Sequence, residues 1–377
     1  MDKAKNRRQM KATILQSNFA KALNMTSRIV GNRTTLPVLG NILISAKKSQ
    51  VKFSATDLEV GITTKSIGKI EEEGDITLPA KLLSDFVLNN KDESIEISTV
   101  GTVATLKSDH YEASIHGIAA EEFPTIPEPP KTNNVTVNKE LLSDALRKVG
   151  IAPATDETRP VLAGVFFQFE GTNLTLAATD SYRLAEKKLA VTDNTNDSKI
   201  IVPSRTINEV IRIMPTVSVD DVQISAAENQ ISFKVGDTYI ISRLIEGSFP
   251  NYTQIIPAAG KTIVTVKKVD FVSAVKMSSL FAKDTANNNV KMVVGKNEIS
   301  ILSAASQNGS AKSSINCPVV GDGLEIAFNS KYIVDVLNVI NDDNVVLEFN
   351  DNTSPGVIKS EKDTEYVYII MPLKVEN

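Results

Sequence analysis

The sequence predicts the α+β class, with one two-helix, sheet-rich unit repeated three times in tandem. Three features point there. Dipeptides recur in one order at a nearly constant offset, each third of the 377-residue chain holds two segments with helical spacing of apolar residues, and alternating runs fill the remainder.

Pro37-Val38-Leu39 recurs as Pro160-Val161-Leu162, 123 positions on, and Thr56-Asp57 recurs as Thr179-Asp180 at the same offset. Leu78-Pro79 is answered by Val202-Pro203 at 124, and Phe123-Pro124 by Phe249-Pro250 at 126. One dipeptide matches by chance; four in one order at nearly one offset mark a duplication. A third, more diverged copy follows the same step. Leu302 to Ser306 stands where LAATD stood, Asn329 where Pro203 did, and Tyr366 where Tyr239 did. Domains are expected over 1–129, 130–256 and 257–377, with residues 1–9 a basic, polar extension ahead of the fold.

Within each unit a first helix is expected over 17–32, 138–150 and 267–283, and a second over 79–90, 203–214 and 329–340. Pro79 and Pro203 suit a first helical turn, where a missing N–H costs nothing. VTVNK, VQISAAENQISFKV, EISIL and VVLEFN alternate as half-buried strands do, with Gly, Asn and Asp at the turns.

A chain this long with 42% apolar residues buries more than one core. Its single cysteine, Cys317, makes no intrachain disulfide, no signal peptide is read at its start, and no apolar run approaches the roughly 18 to 20 residues that span a bilayer. A cytoplasmic protein with no membrane partner is expected.

The net charge of −4 argues against a nucleic-acid partner until it is resolved locally. The six helical segments with their flanks (17–33, 79–90, 138–148, 203–214, 267–283 and 329–340) carry fourteen basic residues and six acidic ones, a surplus of eight that leaves the remainder at −12. Basic helices and acidic sheets suit a surface that meets phosphates. Lys21, Arg28, Lys81, Arg147, Lys148, Arg212 and Lys276 are the candidates for it. No zinc-finger spacing or helix-turn-helix signal appears, so contact would be to backbone phosphate, indifferent to sequence and steeply salt-dependent.

Catalytic chemistry finds little support. His110 and His116 flank one strand and lack partners at metal-ligand spacing, and no P-loop, nucleophile elbow or dinucleotide fingerprint is present. Asp57 and Asp180 would be the carboxylates of a metal-dependent nuclease or nucleotidyl transferase, the alternative reading. They occupy equivalent places in different repeats, however, and are expected to cap turns instead. Glu71 to Glu73 reads as a solvated loop. No catalytic residue, metal or cofactor is expected.

LPVLGNILI, ATDLEVGI, TRPVLAGVFF, AATDSYRLAEKKL, FPNYTQIIP, FNSKYIVDVLN and YIIMPLKV, in this order, resemble the bacterial DNA polymerase III beta subunit family, the sliding clamps, over residues 10–377. The resemblance implies a non-catalytic processivity factor in which a head-to-tail homodimer closes into a ring around double-stranded DNA. Its partners would be a second copy, the polymerase III alpha subunit, the clamp loader and other proteins bearing a clamp-binding motif. By position it adds Arg33 and Arg205 to the DNA-facing set and assigns Ile115, Leu280 and Phe281 to the subunit interface. It also implies an apolar groove for partner peptides, formed by Leu162, Thr179, Ser181, Tyr182, Arg183, Leu184, Pro250, Ile255, Asn329 and Tyr332. Ile369, Met371, Pro372, Leu373, Lys374 and Val375 complete it from the C-terminus. Arg183, Tyr182 and Asn329 would supply orienting hydrogen bonds, and Met371 would repack around varied peptides. Two departures stand out: Ser181-Tyr182 replaces the family's common Gly-His, and Glu376-Asn377 runs past its usual end.

Overall fold

The computed structural model describes residues 9–31, 36–130, 134–156, 158–193, 197–282, 288–303 and 309–373. Arg33, Lys374 and Val375, together with the bulk of the expected extension, Lys283, Glu376-Asn377 and the end of the third Leu302–Ser306 match, lie outside the described residues.

In chain order the first repeat runs β1 (Lys11–Leu15), α1 (Gln16–Thr26), β2 (Asn41–Lys47), β3 (Gln50–Thr56), β4 (Val60–Ile67), β5 (Lys69–Glu72), β6 (Gly74–Pro79), α2 (Ala80–Asn89), β7 (Ser94–Val100), β8 (Val103–Lys107) and β9 (Glu112–His116). The second runs β10 (Asn134–Asn138), α3 (Lys139–Val149), β11 (Gly164–Glu170), β12 (Asn173–Thr179), β13 (Arg183–Ala190), β14 (Ser198–Pro203), α4 (Ser204–Ile213), β15 (Asp221–Ala226), β16 (Gln230–Val235) and β17 (Thr238–Arg243). The third runs β18 (Thr262–Lys267), α5 (Lys268–Ala282), β19 (Asn289–Val294), β20 (Glu298–Ser303), β21 (Lys312–Asn316), β22 (Val319–Val320), β23 (Leu324–Asn329), α6 (Ser330–Val339), β24 (Asn344–Phe349), β25 (Gly356–Ser360) and β26 (Tyr366–Ile370). All six expected helices are present.

Each helix turns one apolar stripe to its sheets. Phe19, Ala22 and Leu23 of α1, Ala80, Leu83 and Val87 of α2, and Ile333, Val336 and Leu337 of α6 are buried at spacings of three and four. Pro79 sits one place earlier than expected. It is the last residue of β6 and caps α2 with φ −53 and ψ 118, an extended conformation that its ring permits as readily as a first helical turn. Residues 69–72 form β5 rather than a loop, with Glu71 paired to Lys11 at 2.8 Å.

The chain divides into two compact units, Met1–Lys139 with Asn208–Leu244, and Glu140–Ile207 with Ile245–Asn377. The middle repeat is shared between them because its strands hydrogen-bond into the repeats on either side. In the first unit one sheet has the order β5-β1-β7-β8-β9 and the other β10-β15-β16-β17-β4-β3-β2-β6, where β17 pairs with β4. In the second unit the sheets are β14-β11-β12-β13-β26-β25-β24-β18-β22, where β26 pairs with β13, and β21-β20-β19-β23.

Those two junctions correct the alignment of the third repeat. Tyr239 faces Thr63, and the residue facing Glu186, the counterpart of Thr63, is Val367. Val367, not Tyr366, therefore stands where Tyr239 does. Tyr366 is instead a buried core residue, 1% exposed. The same slip affects Leu302: the hairpin turns place Ile301 where Leu176 stood. Matching aromatic and aliphatic letters gave a plausible offset, but strand alternation allows no error of one. Among the described residues no helix is long and apolar enough to cross a membrane.

Candidate partner groove and cationic helix faces

Of the residues expected to form a partner groove, Thr179, Ser181, Tyr182, Arg183 and Leu184 lie at the turn that joins β12 to β13. Thr179 donates its hydroxyl to the Arg183 carbonyl at 2.6 Å and accepts from the Ser181 N–H at 3.1 Å. Asp180 accepts from the N–H groups of Tyr182 and Arg183 at 2.9 and 3.0 Å. The first repeat contains the same construction: Thr56 bonds the Val60 carbonyl and the Leu58 N–H, and Asp57 takes the N–H groups of Glu59 and Val60. Thr-Asp is thus a turn signature, and both aspartates cap turns. Ser181 and Leu58 each have φ +79, a backbone conformation that favours glycine.

The turn and the C-terminal strand are locked together. Leu184 faces Ile369 and Arg183 faces Ile370 across β13 and β26. The Met371 N–H donates to the Tyr182 carbonyl, and the Leu373 N–H to the Ala327 carbonyl, each at 2.8 Å. Leu162, Leu184 and Ile369 are buried, whereas Tyr182, Pro250, Ile255 and Met371 are exposed and Pro372 and Leu373 half-buried. Leu184 and Ile369 belong to one cluster with Phe166, Ala177, Ile201 and Tyr252, with Phe249 stacked on Phe166 at 4.9 Å. Tyr252 donates to the buried Glu186 carboxylate at 2.6 Å; burial, then this bond, pushes its phenol well above the usual range.

Arg183 plays a different part from the one expected. It is 7% exposed, and its guanidinium is bonded to Asp180 at 3.0 Å and Asp335 at 2.7 Å and lies 4.3 Å over the Tyr332 ring. Its hydrogen bonds hold the turn to α6, because a buried guanidinium needs carboxylate partners. The Asn329 side chain likewise accepts from the Lys331 N–H as the cap of α6. Of the three expected donors and acceptors, Tyr182 is the exposed one, at 59%. Sequence reading missed Arg159, which donates to Ser181 Oγ at 2.7 Å and to the Asp180 carbonyl at 3.4 Å. The available signal was the repeat itself, since Leu36 holds the corresponding place in the first copy.

Of the cations expected to meet DNA, Lys21, Arg28, Lys81, Arg147, Arg205 and Lys276 are exposed. Two are corrected. Lys148 is 5% exposed and is held by Asp144 at 2.6 Å and Asp363 at 2.7 Å, over the Tyr366 ring. Arg212 is bound to Glu209 and to the carbonyls of Asn24 and Met25. Both hold chain segments together instead of offering charge. Among the expected interface residues Leu280 is 57% exposed and Phe281 half-buried, while Ile115 is 2% exposed and faces its own core. What its strand β9 presents outward is backbone together with Glu112, Ser114 and His116. His110 pairs with Asp92 at 2.7 Å, and no group of three metal-ligand side chains occurs among the described residues.

The DNA polymerase III beta subunit family matches in three consecutive pieces: its N-terminal domain over residues 10–127, its central domain over 136–251 and its C-terminal domain over 253–374. A beta sliding clamp of Staphylococcus epidermidis is 32% identical over 375 residues, covering 97% of this chain and 99% of the relative. The crystal structure of a DNA polymerase sliding clamp from Bacillus subtilis superposes with a TM-score of 0.92 at 28% identity, covering 98% of this chain and all of the other. A C. crescentus beta sliding clamp, solved with PEG bound, matches with the same score, identity and coverage.

Proposed function

Given that this chain belongs to the DNA polymerase III beta subunit family, the beta sliding clamps, we propose how its own residues do the work of a clamp. It is a non-catalytic DNA sliding clamp of three tandem clamp domains, and its partners are DNA, a second copy of itself, the polymerase and proteins with clamp-binding motifs. In our reading Lys21, Arg28, Lys81, Arg147, Arg205 and Lys276 meet phosphates through long, flexible side chains. Each contact is weak and none reads a base, so the duplex can move through while closure of two copies into a ring keeps it from leaving.

The observation that carries the partner reading is the pinning of the C-terminal segment. Met371 and Leu373 are bonded through their backbone to Tyr182 and Ala327, which leaves the Met371, Tyr182 and Ile255 side chains to receive an apolar peptide over the Leu162, Leu184 and Ile369 floor. Ser181 and Tyr182, where the family often has Gly-His, supply a hydroxyl and a phenol and would shift motif preference. The cytoplasm is the proposed location.

Retention on DNA tests encirclement. Loaded on closed circular DNA the protein should remain through gel filtration, and linearising the circle should release it from the ends. Equal retention on circle and line would count against a ring.

A further inference from the structure

We propose that Glu186 is a positioning residue for the partner groove: it receives the Tyr252 hydroxyl and so fixes the segment 249–256, from which Pro250 and Ile255 meet a bound peptide. The proposal rests on the groove reading above and adds what holds that side of it in place. Glu186 and Tyr252 are both buried, at 8% and 7% exposure, so neither meets the peptide directly.

The strand places Glu186 there. Residues two apart on β13 share a face, so Glu186 lies beside Leu184 and opposite Val367, as Leu184 lies opposite Ile369. Leu184 and Ile369 are in the cluster with Tyr252, and Val367 packs against it. A carboxylate on that face has apolar neighbours, among which an ionised group is costly unless it is bonded. Its Oε2 accepts from the Tyr252 hydroxyl at 2.6 Å, and its Oε1 lies 3.6 Å from the Lys188 ammonium. The lysine side chain is 53% exposed, and an ion pair made through so long and solvated a chain fixes little. The tyrosine bond is buried and charge-assisted, the stronger kind.

What that bond fixes is a short turn. Phe249, Tyr252 and Ile256 pack in or against the cluster, whereas Pro250 and Ile255 are exposed. The Ile255 N–H donates to the Tyr252 carbonyl at 3.0 Å, and the Ile256 N–H to the Thr253 carbonyl at 3.4 Å. Tyr252 therefore holds the Ile255 backbone at one end and is tied to β13 at the other. Apolar packing draws the segment inward without fixing its direction; the hydroxyl–carboxylate bond has a direction to impose.

The first repeat is an internal control. There Ile126 holds the place of Tyr252, Thr63 that of Glu186 and Gly61 that of Leu184. Ile126 lies so close to Gly61 that a Cβ on the glycine would come within 2.8 Å of it. Thr63 bonds inside its own sheet, to the Ser54 hydroxyl at 3.1 Å. Phenol and carboxylate are thus both missing from one repeat junction and both present at the other, the junction to which the groove is assigned. A pair that served only to join strands at a junction would be called for at both.

Titration calorimetry of the full chain tests the role, with a synthetic peptide copied from the clamp-binding motif of a polymerase III alpha subunit as the probe. Tyr252→Phe keeps the ring and removes the hydroxyl, and Glu186→Leu removes the acceptor. Each should weaken the peptide about tenfold, and the two together no more than either alone, because one bond is lost in all three. Glu186→Gln, which keeps an acceptor oxygen, should recover most of the loss. The double variant replaces both polar groups with apolar ones, so its melting temperature should stay close to the parent's while its peptide affinity does not. In NMR spectra of the free protein the Ile255 δ1-methyl signal should move in Tyr252→Phe and Glu186→Leu and lie near its parent position in Glu186→Gln. Parent-like affinity in Tyr252→Phe and in the double variant overturns the positioning role, and the groove still stands if removing residues 371–377 abolishes binding. A parent whose affinity survives that truncation unchanged overturns the groove and this proposal with it.

Discussion

Ser181 occupies a turn position with φ +79, where glycine is at ease and side chains branched at Cβ are not. Ser181→Val is expected to destabilise the protein by about 1–3 kcal/mol, with Ser181→Gly within about 1 kcal/mol of the parent, as read from urea denaturation; a valine variant as stable as the parent would contradict the strained turn. His110 and Asp92 make a pH-dependent pair. Their hydrogen bond raises the His110 pKa above 6.5 and, with the larger contribution of Ser108, holds the Asp92 carboxyl down at about 2. The histidine contribution is complete below 6.5 and fades as pH rises through its raised value. The aspartate contribution is complete above 3.8 and fades as pH falls toward 2. The pair therefore acts most fully between those ordinary values, and NMR titration of Asp92→Asn should return the His110 pKa to about 6.5. Thr-Asp was legible as a turn because its hydrogen bonds close within four residues. Arg183 and Lys148 were not, since Asp335 and Asp363 lie 152 and 215 residues away.

At the scale of elements, the C-terminal segment is the most consequential. Its backbone bonds run to Tyr182 and Ala327 from Met371 and Leu373, while β26 ends at Ile370. Removing residues 371–377 should therefore spare the strand and the sheet. Partner peptides are expected to lose binding beyond detection by titration calorimetry while sedimentation still reports the parent oligomer, and unchanged affinity would refute the groove. The helices were legible from spacing alone because each buries one stripe, although α1 ends at Thr26, six residues before the expected end at 32. The third repeat was legible in outline but misplaced by one residue at Tyr366 and Leu302, where side-chain type and strand alternation disagree and hydrogen-bond geometry prevails. Arg159 could have been noticed where the repeat breaks from Leu36.

For the whole molecule, charge was legible as a partition and less so as a set of contacts. Spacing placed fourteen basic residues on or beside helices, but only packing distinguishes an exposed Lys21 or Arg147 from a sequestered Lys148 or Arg212. The same holds for Ile115, whose strand β9 ends its sheet while its side chain is buried. The sharing of sheets across β17–β4 and β26–β13 has a corollary for evolution and engineering alike. The middle third owns no complete sheet, so excising it would bare two raw hems of main chain, each primed to zip onto any neighbour. Duplication here yielded not beads on a string but a woven fabric, in which no single repeat can be lifted out without unravelling those beside it.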